Sequence, residues 1–194
     1  MHWGASAPDI LRGLAEVQAE AAHTRKLPPL DKWNPPFCGN IDMRIAVDGT
    51  WFYLGTPIGR PALVRLFSTI LRREADGAFV LVTPVEKVGI EVEDAPFIAV
   101  RVDACGKGPE QKLTFMTNVG DTVVAGRDHP LRVEIRGQNE PRPYVHVRGR
   151  LEARIARSVF YELVGIGEER ATKSGRELGV WSDGVFFSLG SPDR

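Results

Sequence analysis

The chain has 194 residues, 43% of them apolar and 26% charged, enough to build one large domain or two small ones with a real core. Its 25 basic residues are cancelled by 25 acidic ones, which excludes a strong net field toward nucleic acid or an anionic membrane as the main partner. No run of 18 apolar residues occurs, and residues 1–22 lack the basic start and unbroken apolar stretch of a signal peptide, so a cytoplasmic protein with no membrane span is expected.

Ser6-Ala7-Pro8-Asp9 resembles a capping box, and Ile10, Leu14, Val17 and Ala21 follow at helical spacing, which predicts a short amphipathic helix ending near His23. Four prolines between Leu27 and Phe37 then predict an extended connector whose Trp33 and Phe37 dock on the body. Ile41, Met43, Ile45 and Val47 alternate with Asp42, Arg44 and Ala46, the signature of a strand with one core face. Asp48-Gly49 turns the chain into a second strand. Gly55 to Pro61 leads into a helix with Leu63, Leu66, Phe67 and Ile70 inward and Arg65, Arg72 and Arg73 on its other faces.

The stretch Asp48–Pro57 returns in register as Asp183–Pro192, and more loosely as Asp76–Pro84. Each copy opens on an Asp-Gly hairpin turn and closes on proline. Helix, Asp-Gly turn and phenylalanine-bearing strand thus recur in both halves, and we read them as a duplicated hairpin-helix motif.

From Val85 onward the pattern is a meander of short strands. The inward residues are Val88, Ile90 and Val92; Ile98, Val100 and Val102; Leu113 and Phe115; and Leu131, Val133 and Ile135. With a short strand over 122–125 and another over 144–148, six strands precede a helix over 154–165. The expected fold is α+β in three parts: an N-terminal helix (1–26), an N-terminal α+β half (27–84) and a C-terminal half (85–194). The halves pack on each other, and the second is a mostly antiparallel, pleckstrin-homology-like meander capped by a helix.

No catalytic signature stands out. Cys38 and Cys105 have no C-x-x-C partner and read as reduced core or loop residues. The histidines at 2, 23, 129 and 146 have no metal-ligand spacing, so no cofactor or metal is expected. Three groups of residues are candidates for binding. The loop before the first central helix, with Arg60 and Arg65, can receive an anion. The polar face of the strand at 144–148 offers His146 and Arg148. Asp42, Arg44, Glu86, Lys87, Asn118 and Asp121 cluster on strand faces or ends as exposed ion pairs or a buried polar network.

The motifs around Trp33–Gly39, Ile41–Ile45, Asp48–Tyr53, Pro57–Phe67, Val82–Lys87, Glu93–Phe97, Thr117–Asp121, Tyr144–Arg148 and Gly184–Phe187 resemble domain-of-unknown-function family 1285 over about Leu27 to Gly190. The resemblance implies a two-part fold with internal structural repeats, a C-terminal part superficially like pleckstrin-homology domains, a ligand site between the halves and a role in signalling. Together these readings give a non-enzymatic module that holds a small anionic ligand or a peptide at the interface of its halves and reports to a protein partner. The alternatives are a hydrolase using His146 with Asp42 or Asp121 as its carboxylate, and a scaffold without a ligand.

Overall fold

The computed structural model describes residues 27–137, 140–172 and 175–191, so the predicted helix over residues 1–26 lies outside the described residues. The chain divides into two compact units between Asp94 and Ala95. The first builds a mixed sheet from β1 (Phe37–Ile45), β2 (Trp51–Tyr53), β3 (Thr56–Pro57), β4 (Leu71–Arg73), β5 (Phe79–Val82) and β6 (Lys87–Val92). Its strand order is β3-β2-β1-β6-β5-β4, with helix α1 (Pro61–Thr69) crossing from one edge to the other. The only parallel pairing in this sheet joins β1 to β6 at its centre.

The second unit repeats that plan. Its strands are β7 (Phe97–Cys105), β8 (Lys112–Thr117), β9 (Thr122–Val124), β10 (Leu131–Arg136), β11 (Glu140–Arg148) and β12 (Leu151–Ile155). They lie in the order β10-β11-β12-β7-β8-β9, the same order read from the opposite edge, with β12 parallel to β7 at the centre. Helix α2 (Arg157–Gly165) follows, then a three-stranded antiparallel sheet of β13 (Glu168–Thr172), β14 (Gly175–Ser182) and β15 (Val185–Gly190). The protein is therefore a mixed α and β structure with two similar halves.

Several expectations change. The strand at 87–92 belongs to the first sheet, between β1 and β5, so the division falls after Asp94 and not after residue 84. The helix placed over 154–165 begins at Arg157, because residues 151–155 form β12, a strand the sequence reading had absorbed into it. Arg72 and Arg73 lie on β4, not on α1. The hydroxyls of Ser68 and Thr69 donate to the carbonyls of Arg65 and Leu66, which competes with continuation of the helix.

The inward residues of β7 are Phe97, Ala99 and Val102, while Val100 is 46% exposed. Ala99 pairs with Thr117 and Arg101 with Met116, so Val100 is a bulge that reverses the alternation. The three Asp-Gly copies prove to be hairpin turns between β1 and β2, β4 and β5, and β14 and β15. They occupy different places in the two units, and the repeat that holds is one of strand order.

The first core gathers Met43, Ile45, Trp51, Phe67, Ile70, Leu71, Leu81 and Val88, with Trp51 stacked on Phe67 at 6.2 Å between centroids. Trp33 is half-buried, but Phe37 is 54% exposed and does not dock as expected. Cys38 is partly exposed and Cys105 exposed, so neither is a core residue. In the second unit Phe97, Ala99, Leu113, Phe115, Val145, Ala153, Ile155, Val159 and Leu163 are buried.

Buried Ser182 fastens the three-stranded sheet to the larger one. Its hydroxyl accepts the Leu113 amide at 2.9 Å and donates to the Ala125 carbonyl at 2.7 Å. Gln111 adds a bond from its side chain to the Trp181 carbonyl, and its own carbonyl accepts the Asp183 amide. Ser182→Ala leaves a buried donor and a buried acceptor unmatched, and should lower stability in urea by about 2–3 kcal/mol. Ser188→Ala, at an exposed position of the same sheet, should stay within about 0.5 kcal/mol. Equal effects would show that Ser182 is not the fastening.

Candidate functional site

Six of the candidate residues fall in the first unit. Asp42 is exposed on β1, and its carbonyl accepts the Leu54 amide beyond the β2 strand. Arg44 pairs with Glu93 and lies over the Phe52 ring at 4.4 Å, while the other Glu93 oxygen accepts the Val47 amide. Glu86 is buried, its amide donating to the Thr83 hydroxyl at 3.2 Å. Lys87 reaches Glu74 at 3.5 Å. Glu74 also accepts from Arg72 at 2.6 Å, and Arg72 donates to the carbonyls of Leu30 and Trp33, both at 2.8 Å. This cluster ties the proline-rich connector to β4. Sequence reading missed it because it placed Arg72 on a helix.

Arg60 and Arg65 are exposed at and just after the start of α1. Pro61 has no amide hydrogen, and the amides of Leu63 and Val64 both donate to the Arg60 carbonyl. The helix start therefore has fewer open donors than its glycine-flanked sequence suggested.

In the second unit, Asn118 and Asp121 shape the turn between β8 and β9. Asn118 Oδ1 accepts the Ile98 amide at 3.0 Å, its own amide donates to the Ile98 carbonyl, and the Asp121 amide donates to the Thr117 hydroxyl. Asp121 pairs with Arg148, whose guanidinium also lies 4.9 Å from the centre of the Phe97 ring. His146 donates from Nε2 to the Gly149 carbonyl at 2.7 Å, and His129 donates from Nδ1 to the His146 carbonyl at 3.1 Å. The two rings are 5.5 Å apart, and His146 Nδ1 is buried with no hydrogen-bond partner. One His146 nitrogen is thus tied to backbone and the other is closed to solvent. Tyr144, on the same strand β11, is 2% exposed beneath Arg132, which sits 4.2 Å from its ring and holds Glu152 through two 2.7 Å bonds.

Sequence reading also missed a groove of about 340 Å³ between β10 and β15, lined by Leu131, Ile135, Phe186, Ser188 and neighbouring residues of both strands. The uncharged run 185–190 was legible, but its place at a sheet edge was not. Among the described residues no group of three or more metal-ligating side chains comes together, and no helix is long and apolar enough to cross a membrane.

The Arg72 hydrogen bond holds the Glu74 carboxyl below its ordinary value of 4.5, aided by the charges of Arg72 and Lys87. A depressed carboxylate stabilises the fold above its unfolded pKa, and that contribution disappears as pH falls through the folded value. Glu74→Gln should therefore be less stable than the unaltered chain at pH 7, with the gap closing toward pH 3 in paired urea titrations. A gap that is constant with pH would contradict the pairing.

The models of two family domains match the chain: the domain of unknown function DUF1285, N-terminal domain, over residues 28–95, and the C-terminal domain of the DUF1285 protein of unknown function over residues 96–189. The crystal structure of a DUF1285 family protein from Silicibacter pomeroyi DSS-3 is 53% identical, with a TM-score of 0.82, covering 91% of this chain and 96% of that one. A second, from Shewanella baltica OS155, is 27% identical with a TM-score of 0.51, covering 64% of this chain and 91% of that one. No curated protein matches the chain.

Proposed function

For a chain that belongs to the DUF1285 family, whose function is unknown, we propose a binding module and not a hydrolase. The observation that carries this reading is the commitment of the polar candidates to the fold itself. His146 Nε2 is bonded to Gly149 and its Nδ1 is enclosed, so the imidazole has no nitrogen to offer a substrate as general base. Asp121 is held by Arg148, and Arg44 by Glu93. The groove between β10 and β15, in contrast, has mixed apolar and polar walls and a volume at the lower end of the ligand-pocket range of about 300–1,000 Å³.

The module takes a small ligand or a peptide in this groove and reports its occupancy to a protein partner in the cytoplasm, a role in signalling. The pleckstrin-homology-like reading of the second unit belongs to the same proposal and is supported by element order, a strand meander followed by α2. A second reading places a small anion at Arg60 and Arg65, favoured by the exposure of both side chains at one helix start.

A thermal-shift screen with apolar compounds, phosphorylated metabolites and short peptides tests these readings. A groove ligand at 100 times its Kd adds about 2.7 kcal/mol, a rise of roughly 5–10 °C for a chain of this size. Ile135→Asp, at a 56% exposed groove residue, should abolish that rise. A rise that survives Ile135→Asp but disappears in Arg60→Ala/Arg65→Ala supports the anion reading. No rise with any compound contradicts both.

A further inference from the structure

Among the described residues the three sheets have six edge strands, and five are guarded against pairing with another chain. β3 has two residues and ends in Pro57, β9 has three, β4 is Leu71-Arg72-Arg73, and β13 carries Glu168, Glu169 and Arg170. β10 carries Arg132, Glu134 and Arg136, which leaves β15 as the unguarded edge; these two strands have six residues each, come within 8 Å of one another at their Cα atoms, and line the groove. β15 has no charged residue, no lysine and no proline.

The register shows which backbone groups are open. The His146 amide donates to the Pro130 carbonyl, so in the β10–β11 ladder residues 132, 134 and 136 bond to β11, while Leu131, Val133 and Ile135 turn their amides and carbonyls outward. Asp183 and Gly184, with φ of 49° and 76°, form a two-residue hairpin loop between Ser182 and Val185. Alternation from that closing pair turns the backbone groups of Phe186 and Ser188 away from β14. All five of these outward residues line the groove, together with Arg132, Phe187, Leu189 and Gly190.

We propose that the groove takes an extended, proline-free peptide segment of a protein partner, which adds to β15 as a fourth strand and hydrogen-bonds to Phe186 and Ser188. Charge matching sets its composition. β15 is uncharged and Arg132 on the opposite wall is committed to Glu152, so the segment is uncharged where it pairs, with its apolar side chains against Leu131 and Ile135. Backbone bonds supply affinity and the apolar wall supplies selectivity, the logic of strand addition. The inference rests on the binding-module reading and names its ligand class.

The test is selection of randomised octapeptides displayed on phage against the full chain. It should enrich proline-free sequences with alternating apolar residues. Their binding should fall at least tenfold on Ser188→Pro, which removes an outward amide that the β14 ladder does not use. To guard against a folding defect in that variant, the selected peptide is also made with alternate backbone amides N-methylated, in both registers. One register should lose at least tenfold against the unaltered chain. Binding that is indifferent to N-methylation, or a selection that enriches nothing, overturns the proposal. If apolar compounds still raise the melting temperature through Ile135 in that case, the binding-module reading stands and only the peptide class falls.

Discussion

Each six-stranded sheet depends on a parallel pairing between its first and last strands in chain order. Phe37 aligns with Lys87 and Ile45 with Val92 in one sheet, and Phe97 aligns with Ala153 in the other. Every other pairing in these sheets is antiparallel and lies on an arm outside the central pair. Closing such a pair means bringing together segments separated by four other strands, so the loop entropy is spent before the centre contributes anything. The arms alone are short hairpins that bury too little to stand by themselves. Close packing at the centre uses small residues. Ala99 and Ala153 are fully buried, and Gly89 lies under the Asn40 side chain, where a Cβ would collide with its amide oxygen.

This constraint explains why strand identity was easier to read than strand partnership. On β8 the alternation of Leu113 and Phe115 with Thr114 and Met116 survives in the structure, because a regular strand with one covered face must alternate. At Val100 an extra residue breaks the period, and no local signal in Ile98-Ala99-Val100-Arg101 announces it. The Asp-Gly turns were visible for a physical reason, the need for positive φ at Gly49, Gly77 and Gly184. They mark hairpins, and not a duplicated unit. The repetition that holds is one of which strands pair, which residue spacing does not report.

The candidate site shows the same limit. Charged residues at strand ends were legible as a group, but their chemistry depended on neighbours distant in sequence: Arg44 with Glu93, Lys87 with Glu74, Arg148 with Asp121. Each cation already had an internal carboxylate, a pairing that sequence spacing cannot disclose. The groove was hidden for the opposite reason. Its walls are ordinary strand residues, and they form a groove only because β10 and β15 end their sheets side by side.

Native-state hydrogen exchange across increasing urea tests the central claim most directly, since amides of the strands that hold a unit together open only with that unit. The account predicts that the slowest amides of the first unit lie in β1 and β6 and those of the second in β7 and β12, each set merging with the unfolding of its whole unit. Slowest exchange in the outer hairpins, β4–β5 or β10–β11, with the central pair opening earlier, would contradict it.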